Sequence, residues 1–122
     1  MRVVGYLRVS TGEQAESGLG LEAQRARIEA YAALYEHAVV RWCVDAGASA
    51  KTLDRAGLRD ALSSLSSGEA DGVCVAKLDR LTRSVRDLGE LLDGPFRASA
   101  LVSVGEQIDT ATAAGRMVIK EK

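Results

Sequence analysis

A chain of 122 residues fits one domain with room for a sizeable hydrophobic core. At 47% hydrophobic and 27% charged it has a globular composition, which excludes a disordered tail, a collagen-like fibre and a disulfide scaffold. Sixteen basic against seventeen acidic side chains leave a net charge of −1, so the chain is not a cationic sleeve for nucleic acid overall, although local basic patches stay open. No apolar run is long enough to cross a bilayer, and Arg8 arrives too early for the start to be a signal peptide. Cys43 and Cys74, the only cysteines, each lie in an aliphatic stretch. They read as buried thiols of a reducing, cytoplasmic compartment.

Along the chain, short apolar runs alternate with helical patterns. Val3–Leu7 reads as a first strand, and Leu21, Gln24, Ile28, Tyr31/Ala32 and Tyr35 follow at helical spacing. Ala38–Val44 is the second strand; Leu58, Ala61/Leu62 and Leu65 then mark a helix that Asp54 can cap. Gly72–Ala76 is the third strand. Leu81, Val85, Leu88 and Leu92 describe a third helix, with Ser84 and Asp87 in a capping-box pattern and Gly94-Pro95 as its stop. Ala100–Val104 is the fourth strand. This alternation predicts an α/β protein, a single three-layer domain with a mostly parallel sheet of about four to five strands and helices on both faces. Thr110–Ile119 resembles the opening of another helix. The expected division is therefore a domain over residues 1–109 and, over 110–122, the start of a truncated helix of a longer protein.

Ligands of open α/β sheets bind beyond the carboxyl ends of the strands. Four polar clusters fall there: Arg8, Ser10 and Thr11; Asp45, Lys51 and Arg55; Lys77, Asp79, Arg80 and Arg83; and Glu106 with Asp109. Extended geometry puts Arg8 and Ser10 on one face. If the third helix begins at Asp79, Arg80 and Arg83 share a face at i, i+3. A lone serine after a strand is commonly a turn or cap residue, and a lone arginine is commonly solvated. Several cations on one sheet edge are less ordinary, because like charges repel unless an anion is held among them. Guanidiniums around a hydroxyl suit phosphoryl transfer, where charge spreads over the non-bridging oxygens.

Other chemistries lose ground on the same residues. The only histidine, His37, follows the first helix away from that edge and reads as a helix C-terminal cation, which leaves Ser10 without a triad partner. There is no G-x-S-x-G elbow and no Walker A motif. One histidine and two buried cysteines make no zinc site. Gly18-Leu19-Gly20-Leu21-Glu22-Ala23 matches G-x-G-x-x-A with Asp45 downstream, but Ser10 to Ser17 separate it from the strand, and the tight turn a dinucleotide needs is lost. Gln24 lies on the stripe of Leu21 and Ile28, so its amide faces the core, either for a structural hydrogen bond or for a contact with the strand-one loop.

Tyr6-Leu7-Arg8-Val9-Ser10-Thr11, then Gln14 and Gly20-Leu21-Glu22-Ala23-Gln24-Arg25, resemble the opening of the serine recombinase (resolvase/invertase) catalytic domain. Lys77-Leu78-Asp79-Arg80-Leu81-Thr82-Arg83-Ser84 resembles its second signature. Asp45 with Arg55-Ala56-Gly57-Leu58, and Asp109-Thr110 with Gly115-Arg116-Met117, are similar to weaker stretches in the same order. The resemblance implies a serine that attacks a DNA phosphodiester to leave a 5′-phosphoserine link and a free 3′-hydroxyl, with no metal or nucleotide cofactor. It makes Ser10 the nucleophile, Arg8 a phosphate clamp, and Arg80 and Arg83 the groups that hold the scissile phosphate. Asp79 becomes a proton-transfer or arginine-orienting group, and Gln24, Lys77, Asp45 and Arg55 become supporting residues.

The implied partners are double-stranded DNA at a specific site and further copies of the chain, as dimer or tetramer, with no membrane. The family's long interface helix and DNA-binding domain are expected to lie outside this chain, which alone is expected to be a monomer or weak dimer and inactive. The long Thr11 to Leu21 loop resembles that of large serine integrases or transposon recombinases. Two other readings compete: a recombinase-like docking module, which has no need of the Ser10 hydroxyl, and a dinucleotide-binding domain using the Gly18 loop.

Overall fold

The structure, a computed structural model, describes residues 1–10, 20–47 and 52–120. In chain order the elements are β1 (Arg2–Val9), α1 (Leu21–Leu34), β2 (Ala38–Ala46), α2 (Ala56–Ser66) and β3 (Gly72–Val75), then α3 (Leu78–Leu81), α4 (Val85–Asp93), β4 (Ala100–Ser103), β5 (Ile108–Asp109) and α5 (Ala113–Lys120). The sheet runs β2-β1-β3-β4-β5; its first four strands are parallel and β5 is antiparallel to β4. The chain leaves β1 in one direction to reach β2 and returns past it to β3. That reversal opens a crevice between the carboxyl ends of β1 and β3, where such sheets take their ligands.

Both sheet faces are covered, which is why the strands read as continuous apolar runs. On one face Val3, Leu7, Cys74 and Val102 pack with Ile28 of α1. On the other, Val4, Tyr6, Val73, Val75 and Leu101 join Leu58 of α2, Leu91 and Leu92 of α4, and Ile119 of α5. This is the expected three-layer α/β domain. Both cysteines are buried and free, and burial pushes the Cys74 thiol up to about 12. Among the described residues no helix is long and apolar enough to cross a membrane.

Edge strand β2 locks onto β1 through a ring. A Cβ on Gly5 would stand 2.3 Å from the Trp42 ring, and the Arg25 guanidinium lies 4.5 Å from the centroid of the same indole. Only glycine leaves the indole that space. Gly5→Ala is expected to cost about 2–3 kcal/mol through overpacking, seen as a fall of about 10 °C in Tm.

Three local expectations are corrected. The third helix is two helices: α3 ends at Thr82, which is extended (φ −160°, ψ 153°) and whose Oγ1 accepts the Ser84 amide at 3.0 Å. Ser84 Oγ then accepts the Asp87 amide at 3.1 Å and starts α4. The spacing of Leu81 and Val85 is helical, but Leu81 is buried and Val85 is 72% exposed, so the apolar stripe does not continue across the break. Asp54 does not cap α2; the Asp45 carboxylate does so from β2, accepting the Gly57 and Leu58 amides at 2.8 and 3.0 Å. The exposed Asp54 pairs with Arg59 instead.

His37 is not a helix C-terminal cation. It lies beyond α1 with Nδ1 accepting from the N-terminal amine at 3.1 Å, and burial, then that amine's charge, lowers its pKa below the usual 6.5 against an opposing pull from Asp109. The unfolded chain therefore binds this proton more readily than the folded one. Stability is expected to fall as pH drops from about 7 to 5, by at most about 1.4 kcal/mol per unit for this group. Thermal melts across that range check it, with His37→Gln flattening the slope.

Candidate active site at the carboxyl ends of β1 and β3

Strand β1 runs past the end of β3, still paired with β2 through Arg8 and Val9, to the half-buried Ser10. Arg8 is 1% exposed and Arg80 2%, an unusual depth for two guanidiniums. Each holds the other's backbone. Arg8 donates from Nε to the Arg80 carbonyl and from Nη2 to the Asp79 carbonyl, both at 2.9 Å. Arg80 donates from Nη1 to the Arg8 carbonyl at 3.2 Å, and its Nε stands 3.0 Å from Asp79 Oδ1.

Arg55 approaches α3 from the start of α2 and is also buried. Its Nη1 donates to the Tyr6 hydroxyl at 2.9 Å and to the Arg80 carbonyl at 3.3 Å, its Nη2 to the Leu81 carbonyl, and its Nε to the Thr52 carbonyl at 2.9 Å. The last carbonyls of α3 have no partner within the helix. Arg8 and Arg55 fill that need, and their positive charges complement the negative end of the helix dipole. Tyr6 in turn donates to Asp45 Oδ2 at 2.7 Å, so Asp45 joins the α2 start to the floor of the crevice. Burial, reinforced by that hydrogen bond, raises the Tyr6 pKa far above its usual value and keeps the phenol a neutral donor.

Gln24 is fully buried, as its spacing predicts, and bonds the backbone of β1. Its Nε2 donates to the Arg8 carbonyl at 2.9 Å and its Oε1 accepts the Arg8 amide at 3.2 Å. Pairing of β1 with β3 stops at Tyr6 and Val75, so the side-chain amide replaces the missing strand neighbour at Arg8. It thereby fixes the backbone that leads to Ser10.

The sheet edge thus brings together Arg8, Ser10, Gln24, Asp45, Arg55, Asp79 and Arg80. Lys77 stands half-buried at the start of α3. Arg83 does not join the buried cluster: it is exposed, beyond the break at Thr82, so it shares no helix face with Arg80. Thr11, Gln14, Gly18 and Lys51 lie outside the described residues. Two contributors went unassigned from sequence. Tyr6 was visible as the one hydroxyl in the apolar first strand, in phase with Arg8. Glu106 stood among the polar residues after β4, and its carboxylate accepts the Leu78 amide at the start of α3. Among the described residues no group of His, Cys, Asp and Glu could hold a metal ion.

The sequence and fold of the chain have counterparts among known proteins. The family model "Resolvase, N terminal domain" matches residues 3–121, and the chain belongs to that family, the catalytic domains of serine site-specific DNA recombinases. It is similar to the N-terminal catalytic domain of TP901-1 integrase, at 35% identity over 99% of this chain and 90% of that one, with a TM-score of 0.91. A resolvase family site-specific recombinase from Streptococcus pneumoniae is 29% identical over 99% and 84% of the two chains, with a TM-score of 0.74. The C-terminal catalytic domain of ISC1926 TnpA, an IS607-like serine recombinase, is 29% identical over 84% and 65%, with a TM-score of 0.65. Among curated proteins, no sequence matches the chain.

Proposed function

We propose that this domain cleaves and rejoins double-stranded DNA at a specific site through a 5′-phosphoserine link on Ser10. The observation that supports it best is the mutual lock of Arg8 and Arg80 beside the end of β1. Ser10 Oγ forms a bond to the scissile phosphorus, the bond to the 3′-oxygen breaks, and the hydroxyl proton lost by serine is balanced by one gained at the 3′-oxygen. One phosphodiester is exchanged for another, so rejoining is the reverse attack by a 3′-hydroxyl and needs no energy source. Arg8 and Arg80 face the charge that grows on the non-bridging oxygens, and their burial strengthens that interaction. Asp79 orients Arg80, while Gln24, Asp45, Tyr6 and Arg55 hold the framework. Arg83 and Lys77, nearer solvent, meet the DNA when it docks.

Helix α5 (Ala113–Lys120) is a surface by which copies of the protein associate. In α5, Met117 is 65% and Val118 47% exposed beside the buried Ile119, an apolar face suited to a second copy. The reaction takes place where the cell's DNA lies, in the cytoplasm.

DNA carrying sulfur in place of the bridging 3′-oxygen tests the chemistry, because the thiolate released reverses the attack poorly. The domain, joined to a sequence-specific DNA-binding module, is expected to accumulate a protein–DNA species that survives denaturation. The attached strand should be the one that begins with the 5′-phosphate. Linkage to a 3′-phosphate, or tight DNA binding with no covalent species, contradicts the proposal.

A further inference from the structure

Helix α3 carries Asp79 and Arg80, yet it has little of its own to hold it. It spans four residues, flanked by a bond from the Thr82 amide to the Leu78 carbonyl at 3.0 Å and one from the Arg80 amide to the Lys77 carbonyl at 3.1 Å. A helix this short does not persist unaided. Arg8 and Arg55 hold its C-terminal carbonyls, as described above. At the other end the capping position is occupied by Lys77, whose ammonium can only donate, and no side-chain cap is made there.

The acceptor comes from the turn after β4. The Glu106 carboxylate receives the Leu78 amide at 3.3 and 3.4 Å on its two oxygens, and the Ser103 hydroxyl donates to Oε1. That turn is pressed against the entry to α3. The Val104 amide bonds the Val75 carbonyl at 3.0 Å, and the Gly105 amide bonds the Ala76 carbonyl at 2.8 Å. A Cβ on Gly105 would stand 2.9 Å from Lys77 Cγ, so glycine is what allows the close approach. Gln107 completes the reversal with φ at 55°, in the left-handed region.

We propose that Glu106 is a positioning residue for strand cleavage, seating the N-terminal end of α3 so that Asp79 and Arg80 keep their place opposite Ser10. The inference rests on the assignment of Ser10 and Arg80 made above. A carboxylate at one end of α3 and two guanidiniums at the other both follow the sign of the helix dipole, so the helix is held from each end. With Glu106 removed, α3 keeps only its arginine-held end, and Arg80 shifts relative to Ser10.

Two variants and two readouts test this. In Glu106→Ala, exchange of the α3 amides is expected to accelerate about tenfold while β1 and β3 keep their protection. Covalent adduct formation at saturating DNA should slow by about tenfold to a hundredfold, with DNA affinity within about twofold of the unaltered protein. Glu106→Gln keeps an oxygen acceptor and should restore most of both. Unchanged α3 exchange in Glu106→Ala overturns the proposal, as does loosening spread equally over the whole sheet. If the adduct survives in Ser10→Ala, the nucleophile assignment fails, and the α3 exchange still decides the role of Glu106.

Discussion

Ser10→Ala is expected to abolish the covalent protein–DNA species while leaving fold and DNA affinity intact. Ser10 is half-buried at the very end of β1, beyond the strand's own pairing, so losing its hydroxyl should shift Tm by no more than a degree or two. The chemical step should lose a factor on the order of 10⁴ or more, since no other group replaces a nucleophile that forms the covalent link. A denaturing gel and a melting curve on the same preparation separate the two effects. An adduct that persists in this variant places the nucleophile elsewhere, and loss of both adduct and fold makes Ser10 structural.

Arg80→Lys should fail in a different way. Lysine keeps the charge, but one ammonium cannot reach both Asp79 Oδ1 and the Arg8 carbonyl in the planar geometry those contacts need. The carbonyl of Arg8 and the Asp79 carboxylate then lose a buried partner, which should lower stability by about 2–4 kcal/mol. Adduct formation should drop by about 10²–10³-fold even at temperatures where the variant is folded. Arg55→Lys offers the contrast. Arg55 holds Tyr6 and the carbonyls of Arg80 and Leu81 from beneath, so its replacement should cost comparable stability with a smaller fall in the cleavage rate. Equal rates for Arg80→Lys and the unaltered protein would remove Arg80 from the chemistry.

Strands β1, β3 and β4 were legible because each is buried on both faces and so reads as an apolar run, whereas the edge strand β2 is apolar in sequence but largely exposed. The face of α1 was legible because Gln24, Ile28 and Ala32 repeat at helical spacing and are all buried. The three-layer sheet followed from that alternation, and it places the site at the reversal between β1 and β3. What stayed hidden is non-local. Asp54 is a good local cap for α2, yet Asp45, on β2 and twelve residues before the Gly57 amide it accepts, supplies it, because the folded sheet brings β2 to the helix start. The break at Thr82 was masked by the coincidental spacing of Leu81 and Val85, and it separates Arg83 from Arg80. The two-residue strand β5 is too short to show a period at all. The place of His37 after a helix suggests a charge, whereas its partner is the N-terminal amine beside it at the start of β1. Tyr6 looked like one more core residue, and its hydroxyl matters only because Asp45 and Arg55 converge on it from other elements.

Peptide mass spectrometry of the trapped adduct bears most directly on the chemistry proposed for Ser10. The covalent species formed on the sulfur-substituted site would be digested with nuclease and protease, and the nucleotide-bearing peptide fragmented. The expected result is a single 5′-phosphoryl nucleotide on Ser10, in the peptide that follows β1, with the upstream part of the same cleaved strand released carrying a free 3′-thiol. A nucleotide carried by any other residue, such as Thr82 or Ser84 at the break after α3, would contradict it.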